Sequence, residues 1–309
     1  MPELPEVEIT ASLLSAACSG AEVESVQAPG LNAVKSFDPP LALLVGARIE
    51  GIGRRGKLFL INFTVSDPAE LSGIPALMTG ELLRLTAVIH LMSAGRLQLF
   101  DRHAGPRDKS SRVLLRLAPE AGGGGGEREL RLREFGTMQR AWFKLLRSDL
   151  VAEEESLRKL GPEAWPETPE APALRALLSG SRPLYTLLRD QQVIAGIGRS
   201  WCDEILHRAR LSPFKRGSDL TLEEAAALSS AIHSCLQGAI DHYEQHLTLP
   251  LPDKFPLPLT VHRHQSEPCP VCATTIEAIF FEDYVLCYCP SCQTEGKILK
   301  DRRLSRLIK

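Results

Sequence analysis

An α+β fold spread over several domains is what the sequence predicts: an N-terminal helix with a β-sandwich, then a helical domain, then a C-terminal β-hairpin held by cysteines. Three patterns carry this. Short β-branched or leucine-rich runs separated by turn residues fill positions 22–148, helical apolar spacing takes over from 149 to about 248, and two C-x2-C pairs stand near the end. A chain of 309 residues, 44% apolar, has enough material for substantial cores in about two or three units. The expected domain boundaries are 1–148, 149–250 and 251–309.

Residues 3–19 carry Ile9, Leu13, Leu14 and Ala17 at helical spacing, and Gly20 offers a stop, so a helix opens the chain. The strands of the sandwich are expected at 47–52, 58–65, 88–91, 96–101, 112–117, 129–133 and 138–145. The glycine run 122–126 is a flexible loop between two of them; no Lys-Ser or Lys-Thr follows it, which argues against a phosphate-cradling nucleotide loop. Residues 66–81 read as another insertion. In the helical region, prolines at every third position of 166–172 form a link. Thr221-Leu222-Glu223-Glu224 is a capping box, and core packing accounts for the stripe Ala227, Leu228, Ala231, Ile232, Cys235 and Ala239 that follows it. Pro250, Pro252, Pro256 and Pro258 stiffen 249–258 as a connector. No internal repeat is visible.

The first residues bear chemistry. In Met1-Pro2-Glu3-Leu4-Pro5-Glu6-Val7-Glu8, removal of Met1 exposes the secondary amine of Pro2. An α-amino group titrates at roughly 7.7–8, so a neutral fraction exists near pH 7 that can attack a sugar carbon or form a Schiff base. Glu3 adjoins the amine and Glu6 follows one helical turn on, which lets both carboxylates face one reacting centre and share proton transfer. The same residues also fit an ordinary acidic helix start, with Glu at the positive end of the dipole and Pro in the first turn.

Cys269-Pro270-Val271-Cys272 and Cys289-Pro290-Ser291-Cys292 have the spacing of two knuckles around one tetrahedral structural zinc. Between them, 276–281 and 284–288 read as a short hairpin around Glu282-Asp283, too small to fold without a metal. Disulfides or free core thiols are the alternatives. Cys18, Cys202, Cys235 and Cys287 are left as buried or partly exposed thiols, and Cys287, two residues before Cys289, is a decoy for the ligand set.

Pro2, Glu3 and Glu6 at one end and the cysteine hairpin at the other resemble the formamidopyrimidine-DNA glycosylase and endonuclease VIII family of base-excision repair enzymes. Arg54-Arg55-Gly56-Lys57-Leu58-Phe59-Leu60 is similar to the strand that carries the family's functional lysine. Leu160-Gly161-Pro162-Glu163 is similar to the start of its helical domain, and Asp190-Gln191-Gln192-Val193-Ile194-Ala195-Gly196-Ile197-Gly198 to its helix-two-turns-helix loop. Together the motifs follow the family's order nearly to Cys292, which is more specific than any one alone. The resemblance implies that the middle domain is of the helix-two-turns-helix kind and that the last is a zinc β-hairpin.

It further implies a bifunctional DNA glycosylase and abasic-site lyase that bends duplex DNA, flips a damaged base, attacks the sugar C1′ through Pro2 and cuts by β,δ-elimination. By the same resemblance Pro2, Glu3, Glu6 and Lys57 are catalytic, with Glu3 assisting sugar opening and Lys57 reaching a phosphate beside the extruded nucleotide. His90 precedes the intercalating loop, Met92 is a substitute wedge, and Arg133 and Phe135 fill the gap left by the flipped base. Cys269, Cys272, Cys289 and Cys292 hold one structural zinc, with no open position for a catalytic water. The implied partner is damaged double-stranded DNA, bound by a monomer. The segment from Gln237 to Cys269 is shorter than in relatives that cap an oxidised purine with a long loop, so oxidised pyrimidines, abasic sites or a broad range are expected substrates. A lyase-only or catalytically silent DNA-binding relative, and a zinc-hairpin interaction module, are the competing readings.

The chain departs from the family pattern at several places. Glu134, in Arg133-Glu134-Phe135-Gly136, stands where a phosphate-facing arginine is expected, and Ser93 takes the usual wedge position. Arg199 replaces an asparagine after Gly198, and Tyr284, beside Glu282 and Asp283, replaces the hairpin's phosphate-binding arginine. Two phosphate contacts are therefore expected to be lost and one gained, with Arg199 and Tyr284 at DNA-facing positions. Residues 293–309 run past the point where comparable proteins tend to stop. Lys297, Lys300, Arg302, Arg303, Arg306 and Lys309 outweigh Glu295 and Asp301 there, a basic excess able to follow a phosphate backbone, although a solvated tail fits too. Leu299, Leu304, Leu307 and Ile308 would make part of it an amphipathic helix.

A net charge of −2 argues against DNA binding by bulk charge, so any basic surface has to be local. No apolar run reaches membrane-spanning length and the N-terminus is acidic rather than a basic signal sequence. A cytoplasmic protein is expected, intracellular and nucleoid-associated during repair, with no membrane contact.

Overall fold

Pro5 in the first turn and a run of apolar residues at helical spacing start the chain as helix α1 (Leu4–Cys18), whose Leu4, Val7, Ile9, Ala11, Leu14 and Cys18 are buried. The structure, a computed structural model of the chain, describes residues 2–65, 82–105, 108–119, 126–136, 138–282 and 284–299. The insertion expected at 66–81, all but the last residue of the glycine run, and the tail from 300 lie outside these residues. Two compact units divide the chain: one extends to Arg158 and takes in Tyr243–Phe255, the other is Lys159–His242 with the residues from Pro256.

In the first unit the alternating runs form β1 (Val23–Gln27), β2 (Arg48–Arg55), β3 (Leu58–Val65), β4 (Leu83–His90), β5 (Gly95–Phe100), β6 (Ser111–Leu117), β7 (Arg128–Glu134) and β8 (Trp142–Arg147). They make two four-stranded antiparallel sheets, in the orders β1-β6-β7-β5 and β2-β3-β4-β8. Phe59, Ile61, Phe63, Leu85, Ile89 and Phe143 of one sheet and Leu115, Leu130 and Leu132 of the other share a core with α1, which is the expected β-sandwich. The strand β8 starts at Trp142 rather than 138, because the backbone amides of Arg140 and Ala141 donate to the Glu134 carboxylate instead of to a neighbouring strand. β2 and β3 are joined by a two-residue turn, with Arg55 opposite Leu58 and Gly56 at φ 57, a left-handed conformation that glycine adopts without a Cβ penalty. That turn carries Lys57. A short helix, α2 (Glu155–Arg158), ends this stretch.

The second unit contains α3 (Ala171–Leu177), α4 (Leu184–Leu188), α5 (Arg199–Arg208), most of α6 (Leu222–His246), β9 (Glu277–Phe280), β10 (Val285–Tyr288) and α7 (Pro290–Thr294). The capping box forms: Glu224 N donates to Thr221 Oγ1 at 3.2 Å and Thr221 N to Glu224 Oε2 at 3.0 Å. On α6 Leu228, Ala231, Ile232 and Ala239 are buried as expected, but Ala227 is exposed and Ala225 and Leu236 take the buried positions, following the 3.6-residue period. The two central motifs meet: Ala195 N donates to Pro162 O at 2.8 Å, and Ala164 N to Ala195 O at 3.0 Å. Gly161 is required there, since a Cβ would lie 2.6 Å from the Val193 backbone. No helix among the described residues is long and apolar enough to cross a membrane.

Candidate active site and metal centre

Helix α1 begins two residues after Pro2, so Pro2 directly precedes the carboxylates of the first turn. Pro2 is half-buried, Glu3 is 2% exposed and Glu6 7% exposed. Glu3 and Glu6 close a capping box in which Glu3 N donates to Glu6 Oε2 at 2.7 Å. The other Glu6 oxygen accepts from the Tyr243 hydroxyl, also at 2.7 Å. Burial, and then the Glu6 charge, push the Tyr243 phenol far above its usual range, so it stays a donor. The sequence reading missed Tyr243. Its only signal was a hydroxyl in the last, otherwise apolar turns of a buried helix face. Arg54 pairs with Glu8 at 2.5 Å, and Lys57 beyond it is buried, 8% exposed.

At the end of β4, His90 stacks on Trp142 with ring centroids 5.9 Å apart and planes 16° from parallel. Its Nδ1 accepts the Met92 amide at 2.8 Å. Burial, helped by the nearby Lys57 charge, holds the imidazole neutral by lowering its pKa to about 4. Met92 is half-buried at φ 51, while Ser93 is exposed. On β7, Arg133 donates through Nε to Ser110 Oγ at 3.0 Å and through Nη1 to Gln98 Oε1 at 3.1 Å and Asp253 Oδ1 at 3.2 Å. Its guanidinium lies 4.7 Å from the Phe135 ring, so these two residues are brought together. Alternation along the strand turns Glu134 the other way. It is 2% exposed, and its carboxylate accepts Arg140 N at 2.7 Å and Ala141 N at 2.9 Å, so it is no outward-facing charge.

In the second unit the ring of Tyr284 stacks on Phe281 at 4.3 Å and on Tyr185 at 6.1 Å. The guanidiniums of Arg189 and Arg199 lie 4.7 and 4.6 Å from its centroid. Two cations thus converge on the tyrosine that replaces the expected arginine. Arg189, directly before the Asp190–Gly198 motif, was not foreseen.

The four knuckle cysteines also come together. Cys272 Sγ is 3.4 Å from Cys289 Sγ and 3.5 Å from Cys292 Sγ, and Cys269 Sγ is 3.9 Å from Cys292 Sγ. A disulfide would need about 2.05 Å, and all these cysteines are free. A tetrahedron of sulfurs each about 2.3 Å from zinc has an edge of ~3.8 Å, near these three separations, and four thiolates are a donor set that suits that metal. Backbone amides already point at the sulfurs: Val271 N to Cys269 at 3.4 Å and Cys292 N to Cys289 at 3.5 Å. Cys287 is turned away, its Sγ accepting Arg263 N at 3.3 Å and facing Gln265 Oε1 at 3.8 Å. His207 of α5 joins the cluster instead: its donor atom and those of Cys269, Cys289 and Cys292 lie within 4.8 Å of one another.

A helix-led β-sandwich, a helical unit and a metal-fitting cysteine hairpin, with buried carboxylates directly after Pro2, are the layout of a repair-glycosylase fold. Residues 1–138 match the formamidopyrimidine-DNA glycosylase N-terminal domain and residues 160–249 the formamidopyrimidine-DNA glycosylase H2TH domain. The formamidopyrimidine-DNA glycosylase of Thermus thermophilus is 32% identical over 308 residues, 96% of this chain and 100% of that protein. An uncharacterized formamidopyrimidine-DNA glycosylase-like protein of Mycobacterium tuberculosis is 40% identical over 153 residues, 49% of this chain and 96% of that protein. Among solved structures, MutM in complex with DNA containing carbocyclic 8-oxo-G shares the fold at a TM-score of 0.77 and 24% identity, covering 95% of this chain and 100% of that one. Lactococcus lactis Fpg with abasic-site DNA does so at 0.76 and 24%, covering 94% and 99%. The chain belongs to the formamidopyrimidine-DNA glycosylase family.

Proposed function

We propose that the protein is a base-excision repair DNA glycosylase with abasic-site lyase activity, acting as a monomer on oxidised bases in double-stranded DNA inside the cell. The observation that carries the reading is the first turn of α1, where two buried carboxylates, one of them held by Tyr243, adjoin a prolyl amine in a member of this family. The Pro2 amine adds to the sugar C1′, the C1′–base bond breaks, and the base leaves with a proton while an iminium joins protein to DNA. Glu3 protonates the opening sugar; Glu6, fixed from two sides, stabilises the positive charge of the iminium. Loss of the C2′ proton expels the 3′ phosphate and a second elimination expels the 5′ phosphate. Lys57 meets a phosphate beside the extruded nucleotide, Met92 wedges after His90, and Arg133 and Phe135 occupy the emptied stack. Arg199 and Tyr284, with Arg189, face the backbone. Cys269, Cys272, Cys289 and Cys292 would hold one zinc, which when bound cross-links the two knuckles and has a structural part only.

Borohydride trapping of the full chain on duplexes with an abasic site or an oxidised base, followed by mass mapping, tests this. A covalent adduct on Pro2 of a chain lacking Met1 is expected, together with base release from the lesion duplex. Active protein that retains Met1, or an adduct mapped elsewhere, overturns it.

A further inference from the structure

Five donor atoms converge at the knuckles, one more than a tetrahedral zinc takes. The fifth is His207 Nε2, 3.2 Å from Cys269 Sγ, on a residue only 6% exposed. We propose that His207 is an alternative zinc ligand: the four cysteines and the set His207, Cys269, Cys289 and Cys292 are both competent to hold the metal, and Cys272 is the dispensable member. This rests on the reading that the cluster holds zinc.

The geometry of the second set is already assembled. With Zn–N about 2.0 Å and Zn–S about 2.3 Å, a tetrahedral N···S edge is ~3.5 Å, a few tenths of an ångström from the contact seen. The helix that carries His207 is fixed to the segments flanking the first knuckle and the hairpin. Glu204, on the same helix, accepts the backbone amides of Thr260 at 3.1 Å, Val261 at 2.8 Å and His262 at 2.9 Å, and Asp203 accepts the amide of Cys287 at 3.0 Å. The imidazole therefore approaches the sulfurs on a rigid support. Cys272 is exposed, whereas Cys269 and Cys289 are buried, so the cysteine that solvent reaches most readily is the one for which a buried substitute is at hand. With all four thiolates bound, Nε2–H donates to the Cys269 sulfur; with Cys272 withdrawn, the ring carries its proton on Nδ1 and offers the Nε2 lone pair.

Zinc per chain and the absorption spectrum of the cobalt-substituted full chain read the two sets directly. Cys272→Ser should keep one zinc, with cobalt bands moved to shorter wavelength as imidazole replaces a thiolate. Adding His207→Ala should then weaken zinc retention against a chelator at least ~10-fold, while His207→Ala alone keeps the metal and the four-thiolate spectrum. Alkylation of Cys272 on the folded protein avoids any failure of the variant to fold: zinc should stay in the native chain and leave His207→Ala. If Cys272→Ser or the alkylated native chain loses zinc as fully as Cys289→Ser, or if His207→Ala changes neither result, the proposal is wrong. Native chain that binds no zinc would instead overturn the underlying reading.

Discussion

Glu6 accepts hydrogen bonds from two sides while only 7% exposed, so its partners matter more than they would at a surface. Tyr243→Phe removes one of them from a buried carboxylate, which should cost about 1–3 kcal/mol. A lower urea midpoint at unchanged slope is the expected reading; an unchanged midpoint would mean that the bond contributes nothing. Glu3 and Glu6 were legible because one helical turn separates them. Tyr243 was not, because its hydroxyl reaches Glu6 across 237 positions, and no local pattern marks such a contact. His90 has a pH signature. Its pKa is about 4 when folded against ~6.5 for an open chain, so between those values the unfolded chain binds a proton that the folded one refuses. Stability should therefore fall as pH drops through that window, by on the order of 3 kcal/mol in total. Asp203, raised by burial to about 6, acts with the opposite sign, losing stability as pH rises toward 6. Denaturation of His90→Gln isolates the first effect: its acid limb should be flatter than the parent's, and identical limbs would refute the assignment.

At the scale of elements, the strands with uninterrupted alternation were legible and the boundaries set by side chains were not. β3 runs over 58–65 as expected, since burial that alternates from Phe59 to Val65 leaves no other register. β8 lost its first four expected residues to the Glu134 carboxylate, a partner that periodicity does not reveal. The short β1 went unnoticed because Val23-Glu24-Ser25-Val26-Gln27 has too few apolar residues to stand out. The cysteine hairpin was readable from spacing, with Val285 opposite Phe280 and Tyr288 opposite Glu277, whereas His207 lies 62 residues before Cys269 and carried no metal-site spacing. Cys287, despite its place on β10 and in the same small core as Cys269 and Cys289, directs its sulfur to Arg263 N and Gln265 Oε1 and lies outside the metal-fitting group. Cys287→Ser should accordingly leave zinc per chain unchanged while lowering the thermal midpoint, because a hydroxyl replaces a thiol that is 1% exposed. Zinc loss in this variant would mean that the ligand set includes Cys287.

For the molecule as a whole, 36 basic against 38 acidic side chains leave no general attraction for a polyanion, so DNA binding has to come from a few placed cations. Two positions bear on that shortage. Glu134 is turned inward, and the position where Tyr284 replaces an arginine gathers two guanidiniums on one ring. A guanidinium directs its N–H groups outward in its own plane, the geometry that suits bidentate phosphate contact. Each phosphate neutralised releases counterions, so Arg189→Ala and Arg199→Ala should each make the slope of log affinity against log salt shallower by roughly 0.9. Damaged and undamaged duplexes should weaken by the same factor, since backbone contacts position the protein and the lesion pocket selects. Deleting residues 300–309, with their own basic excess, is the parallel measurement: a further fall in slope would make the tail a third contributor, and an unchanged slope would leave the tail out. Should both arginine variants keep the native slope, the Tyr284 cluster is a packing device of the second unit, and the cations that hold the phosphates lie elsewhere.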